Sequence, residues 1–108
     1  MKRKALKPFK EAVFEVFLAQ LGTLAKRKSL KLIEDFRQEG ILIAESLGRD
    51  SLKAQLVKAN KLNVRYVLIL GQQESLEGKI IIRDMKEGRQ EAVKLEKAVR
   101  EMAKRLKK

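Results

Sequence analysis

Apolar positions along this chain follow two alternating rhythms, and the stretch Ser51 to Gly71, SLKAQLVKANKLNVRYVLILG, contains one of each. Leu52, Leu56 and Ala59 recur at i, i+4 and i+7, the spacing of one helical stripe. Lys53, Gln55, Lys58, Asn60 and Lys61 fall on the side expected to meet solvent. Val64 to Leu70 is then almost continuously apolar, β-branched or aromatic, and the run stops at Gly71. Entered from a helix, such a run predicts a strand buried on both faces. The pair is half of an α/β crossover unit.

The alternation continues on either side. Ala12 to Ala19 (AVFEVFLA) predicts a first strand, broken at Gly22. Thr23 is the expected N-cap of a helix running to about Gln38, with Leu30, Ile33 and Phe36 on its inner face. Gly40 ends that helix, and Ile41 to Glu45 predicts a short second strand. Leu47 to Asp50 loops into the next helix, capped by Asp50 or Ser51. Beyond Gly71, Gln72 to Gly78 is too long for a tight turn and is expected to hold one helical turn. Lys79 to Asp84 (KIIIRD) and Arg89 to Val93 predict two strands around Lys86-Glu87-Gly88, with glycine where positive φ is wanted. Leu95, Val99, Met102 and Leu106 mark a last helix.

The order is therefore β-α-β-α-β, then β-turn-β, then α. Strands joined through helices are parallel, because each connection is long enough to cross over, and right-handed crossovers determine which face each helix covers. The short turn makes the last two strands antiparallel. The expected fold is α/β: a three-layer α/β/α domain on a five-stranded mixed sheet with three main helices.

Composition narrows the function. At 108 residues the chain is long enough for one small domain, read as a basic tail at 1–11 and a folded unit at 12–108. Its 26 Lys and Arg against 14 Asp and Glu give a net charge of +12, an electrostatic statement about partners rather than fold. Nucleic acid leads among those partners, ahead of an anionic membrane surface. No stretch approaches the roughly 20 apolar residues of a membrane span. Glu11 and Glu15 interrupt the apolar region behind the basic start, unlike a signal peptide, so a cytoplasmic setting is expected. With no Cys and no His, disulfides, thiol chemistry, the usual zinc sites and His-based triads are excluded. Asp35, Asp50 and Asp84 are too scattered for a catalytic cluster, and Leu18-Ala19-Gln20 ends the first strand without the acids of a phospho-receiver. No catalytic residue, metal ligand or cofactor is expected.

Three ordered segments carry a resemblance: SLKAQLVKANKL (Ser51–Leu62), VRYVLILGQQE (Val64–Glu74) and GKIIIRDMKEGRQEAV (Gly78–Val93). Together they resemble the C-terminal anticodon-binding domain of histidyl-tRNA synthetases, over about Val13 to Arg105. Related class II synthetases for threonine, proline and glycine share that fold, but RDMKEGRQEAV is most similar to the histidine enzyme. The resemblance implies strand order 2-1-3-4-5 with strand 4 antiparallel. It also implies tRNA, through its anticodon loop, and the catalytic domain of a parent synthetase as partners. The family's glycine before SLKxQ is displaced here to Gly48, with Arg49-Asp50 following. ATP and histidine sites would belong to the parent's catalytic part, which the chain does not contain, and the isolated domain is expected to be a monomer. A reading of another class is a synthetase-like accessory module that docks a partner protein.

RNA loops are read by base edges and stacking while Lys and Arg hold phosphates. Of the aromatic residues Phe9, Phe14, Phe17, Phe36 and Tyr66, those at 14, 17 and 36 lie in apolar patterns and read as core. Base contacts then fall to polar side chains. In α/β sheets ligands favour the crevice beyond the carboxyl ends of the parallel strands, here Gln20 to Leu24, Ser46 to Lys53 and Gly71 to Glu74. Lys53 and Arg49 are the phosphate candidates, with Ser51 beside them at a helix start. Glu74, where the family carries a glutamate after its glycine, could accept from a base edge or cap the short helical turn. Arg83 could reach a base or phosphate bidentately, or pair with Glu91 across the strands. Gln55 is a polar candidate near the crevice, whereas Lys26, Arg27 and Lys28 read as a solvated face.

Overall fold

The computed structural model describes residues 14–46 and 51–106. In chain order they form β1 (Val16–Gln20), α1 (Thr23–Gln38), β2 (Ile43–Glu45), α2 (Leu52–Leu62), β3 (Tyr66–Leu70), α3 (Gln72–Glu77), β4 (Lys79–Asp84), β5 (Gln90–Lys94) and α4 (Ala98–Leu106), the last entered through a 3-10 turn at Leu95–Lys97. The sheet order is β2-β1-β3-β4-β5. β1 runs parallel to both neighbours, while β3–β4 and β4–β5 are antiparallel. This is the expected topology. Among the described residues no helix is long and apolar enough to cross a membrane.

Alternation along the strands divides the core in two. Val16, Leu18, Tyr66, Leu68, Leu70, Ile80 and Ile82 meet α1 and α4 through Ala25, Leu32, Phe36, Ala98 and Met102. Phe17, Ala19, Val67 and Ile69 point the other way and meet α2 through Ala59, with Leu52 and Leu56 half-buried beside it. Every residue of β3 is buried, as its unbroken apolar run requires. Helices thus lie on both faces, α1 and α4 on one and α2 on the other, where β5 stays exposed.

Several local expectations are corrected. The buried stripe of α1 is Ala25, Ser29, Leu32 and Phe36, and Leu30 is 65% exposed. Leu30 lies one residue, or about 100° around the helix, from Ser29, whose small side chain lets the helix approach the sheet. Gly22, rather than Thr23, is the N-cap of α1, with no side-chain cap bond. Its φ is +95°, a conformation that favours glycine there. On the carboxyl side of α2, Asn63 takes the left-handed conformation, open to its short polar side chain. Described pairing starts at Val16 in β1 and Ile43 in β2, later than expected, and β5 is shifted by one to Gln90–Lys94. The tail at 1–11 lies outside the described residues.

The β4–β5 turn is held from its first residue. Asp84 accepts hydrogen bonds from the backbone N–H groups of Lys86 and Glu87 at 2.8 and 3.0 Å. Gly88, at φ +75°, returns its N–H to the Asp84 carbonyl. The Glu87 N–H is the main reason the Asp84 carboxyl sits below its ordinary pKa; burial opposes it, while the Lys86 N–H and the Arg65 and Arg105 charges assist.

Two tests follow from packing and from this turn. Phe36→Ala should cost about 3–5 kcal/mol, as for truncation of a buried aromatic, whereas Leu30→Ala should stay within about 0.5 kcal/mol of wild type. Denaturant midpoints of the two variants check the corrected stripe. The Asp84 pKa is lowered on folding, so its contribution is complete above the unfolded value near 3.8 and is lost as pH falls through the lower folded one. Asp84→Asn should therefore lower the midpoint at neutral pH, and the gap from wild type should narrow by about pH 3; parallel denaturation series at the two pH values measure it.

Candidate nucleic-acid interface

The parallel strands β1, β2 and β3 end along one edge of the sheet, where α1, α2 and α3 begin. Leu21 N–H bonds the Leu70 carbonyl, carrying the β1–β3 pairing to the last turn before both helices. Gly22 and Gln72 bring the starts of α1 and α3 together. α2 is fastened to the same edge by Gln55, whose side-chain Oε1 accepts from Gln20 N–H and whose Nε2 donates to the Gln20 carbonyl, both at 3.0 Å. The Gln20 side chain donates to Glu45 Oε1 and accepts from Ser29 Oγ, each at 2.7 Å. A polar layer therefore underlies the crevice and links β1, β2, α1 and α2.

The candidates from sequence sort into four situations. Ser51 is exposed and caps α2, its Oγ accepting from Ala54 N–H at 3.1 Å; Lys53 is exposed in the first turn. Both stand at the crevice edge. Glu74, half-buried, reaches back to the Gly71 N–H at 3.0 Å, so the capping role is realised with one carboxylate oxygen. Arg83 stands apart. It pairs in register with Val67 and Gln90, three residues and about 10 Å from the end of β3, on the α2 side of the sheet. Its Nη1 donates to Gln90 Oε1 at 2.9 Å. The expected cross-strand partner Glu91 is instead opposite Ile82 and is bonded by Arg105.

Gln55 is a correction. It is 1% exposed, so it does not belong to the solvent side of α2, and its amide is engaged by the Gln20 backbone. A helix polar residue reads as surface when the backbone group it serves lies 35 residues away. Arg49 lies outside the described residues. Lys26 and Arg27 are exposed as read, but Lys28 donates to the Ser75 carbonyl at 2.9 Å and ties α1 to α3. Phe17 and Phe36 are core, Phe14 packs half-buried beside α2, and Phe9 lies outside the described residues. Tyr66 is 5% exposed beneath the guanidinium groups of Arg65 and Arg105, at 5.3 and 5.8 Å from its ring. Among the described residues the stacking candidates are thus held in the fold.

The uncovered part of the sheet adds cations that sequence reasoning had not singled out. β4 and β5 align Lys79 with Lys94 and Arg83 with Gln90, and both lysines are exposed. With Lys53, Lys58 and Lys61 on α2 they make one face of the domain basic. Alternation in KIIIRD places Lys79 with Arg83 and was the available signal. A family model described as an anticodon binding domain matches residues 15–105.

The chain belongs to the anticodon-binding domain family.

The relatives sharpen this placement. The histidine–tRNA ligase of Dehalococcoides mccartyi is 37% identical over 106 residues, 98% of this chain and 25% of that protein. That of Symbiobacterium thermophilum is 43% identical over 86 residues, covering 79% of this chain and 20% of its own length. Among solved structures, histidyl-tRNA synthetase from S. aureus superposes with a TM-score of 0.77 at 27% identity, over 83% of this chain and 26% of the other. The RNA-binding domain of threonyl-tRNA synthetase from Cryptosporidium parvum Iowa II gives 0.74 at 12% identity, over 84% and 23%, and shows the shared fold alone. The chain spans about a quarter of the length of the ligases it matches.

In this anticodon-binding domain, Glu74 already has a structural task that can be measured. Glu74→Ala should cost about 1 kcal/mol through the lost helix-start bond to Gly71, while Glu74→Gln, which keeps an acceptor, should cost less. Urea midpoints of the two variants compare them.

Proposed function

We propose that this domain binds the anticodon loop of histidine tRNA, as the tRNA-reading module of a histidine–tRNA ligase. The observation that carries the reading is the alignment with a histidine–tRNA ligase along 98% of the chain. The physical support is the basic face around the crevice. Lys53 opens α2 toward solvent and holds phosphate, with Arg49, four residues earlier in the sequence, as the second candidate and Ser51 at the helix start, where backbone N–H groups and dipole favour an anion. Arg83, beside Gln90 on the uncovered sheet, reads a base edge or clamps a phosphate. Glu74 commits Oε1 to Gly71 and offers Oε2 to a base N–H. Lys79 and Lys94 extend the electrostatic footprint.

ATP and histidine chemistry belongs, in this reading, to the catalytic domain of the parent enzyme, and the module acts in the cytoplasm. The isolated domain is a monomer. Among the described residues the exposed large apolar side chains Leu30, Leu42, Val57, Leu62 and Leu76 are distributed over several elements, and none lies on β5 or α4. The protein-docking alternative, which would place an apolar patch on the sheet edge or last helix, therefore gains no support.

Affinity across a salt series tests the assignment. Binding should fall steeply with salt, because several lysines release counterions together. Lys53→Ala should weaken all tRNAs alike and make the salt slope shallower by about 1. Arg83→Ala should cost about 1–3 kcal/mol on histidine tRNA and little on an anticodon-swapped tRNA. Equal losses on both RNAs would move Arg83 to phosphate positioning; no loss for either variant would move the site elsewhere.

A further inference from the structure

The pairing of β1 is incomplete on one side, and a helix side chain completes it. Register between β1 and β2 ends at Leu18 opposite Glu45, two residues before β1 itself ends at Gln20. Leu21 N–H is directed at β3, bonding the Leu70 carbonyl, and N–H and C=O groups alternate sides along a strand. The N–H and C=O of Gln20 therefore face the side from which β2 has withdrawn. Left there beneath α2 they would be buried and unsatisfied, at substantial cost. The Gln55 amide supplies one acceptor and one donor to that same residue, both at 3.0 Å, as a further strand residue would. Gln55 is 1% exposed, so this arrangement is enclosed.

Gln55 lies four residues after the helix cap Ser51 and two after Lys53, and its own N–H bonds the Ser51 carbonyl at 3.0 Å. The bond pair thus pins the first turn of α2 to the end of β1. We propose that Gln55 is a positioning residue: acting as a substitute strand for Gln20, it fixes the first turn of α2 against the sheet and so sets where Lys53 meets an RNA phosphate. The role toward Lys53 rests on the tRNA reading above, whereas the role toward Gln20 stands on the fold alone.

The experiment pairs Gln55→Met, which retains bulk but removes both hydrogen bonds, with Lys53→Ala in a double-mutant cycle on the 108-residue chain. Histidine tRNA binding is measured over a salt series, and amide hydrogen exchange is measured without RNA. In Gln55→Met, exchange at the Gln20 amide should accelerate about tenfold relative to Leu18, the scale one lost hydrogen bond sets. Amides of Ala54 and of position 55, which bond Ser51, should exchange faster with it. Lys53→Ala should make the salt slope shallower by about 1 in the wild-type background and leave it unchanged in the Gln55→Met background. Leu32→Ala, a core truncation remote from α2, should lower stability yet preserve the Lys53 effect, which separates positioning from general destabilisation.

Retained protection at Gln20, or an equal Lys53 effect in both backgrounds, overturns the proposal. Absence of tRNA binding by the wild-type chain refutes the tRNA reading; protection at Gln20, Ala54 and position 55 then decides the positioning of α2 by itself. Should Gln55→Met fail to fold, Gln55→Glu replaces it. That variant keeps the acceptor for the Gln20 N–H but turns a carboxylate oxygen toward the Gln20 carbonyl, so it is read at the Ala54 amide and through the Lys53 effect; no change in either overturns the proposal.

Discussion

Burial of β3 on both faces is the constraint on which the rest of this structure depends. Tyr66 to Leu70 cannot be covered from one side alone, so the chain must place helices on opposite sides of the sheet. β1 meets the same demand beside it, and because β2, β1 and β3 are parallel, α2 must cross over β1 on its way from β2 to β3. From that crossover follows the edge at which three helices begin. The crevice is thus a by-product of sealing two apolar strands. Its polar layer of Gln20, Ser29, Glu45 and Gln55 exists because strands ending inside a domain leave backbone groups to satisfy.

Much of this was legible in the chain because its strongest signals are long and local. The unbroken run before Gly71 announced a doubly covered strand, and KIIIRD with its following turn announced an antiparallel pair. α1 was harder. Leu30, Leu32, Ile33 and Phe36 support two overlapping stripes, and the choice between them depends on how closely the helix approaches the sheet. Ser29 settles that approach by being small, a property that hydropathy periodicity does not weigh. The N-cap was missed for another reason: Thr23 has the preferred chemistry, but the positive φ one position earlier, where the helix is capped, favours glycine.

The crevice was legible in its location, the surroundings of the candidate residues less so. Crevice position follows from topology, and topology was readable. Whether a polar side chain faces solvent or serves a distant backbone depends on tertiary structure, so Gln55 read as surface and proved internal. Glu74 shows the intermediate case, with local spacing to Gly71 sufficient to indicate the capping bond that the structure contains. Arg83 was identified by type, but its distance from the crevice edge became apparent only once β4 was registered against β3.

The brevity of β2 has a bearing on how the domain behaves in company. It is an edge strand of three residues, and the opposite edge, β5, carries Glu91 and Lys94 among its five residues. Short length and charge are both ways of denying a neighbouring chain a template for strand addition. With Gln55 occupying the Gln20 groups that a longer β2 would have paired, the sheet is terminated from within. A domain with a cationic face therefore keeps its two sheet edges from joining copies to one another.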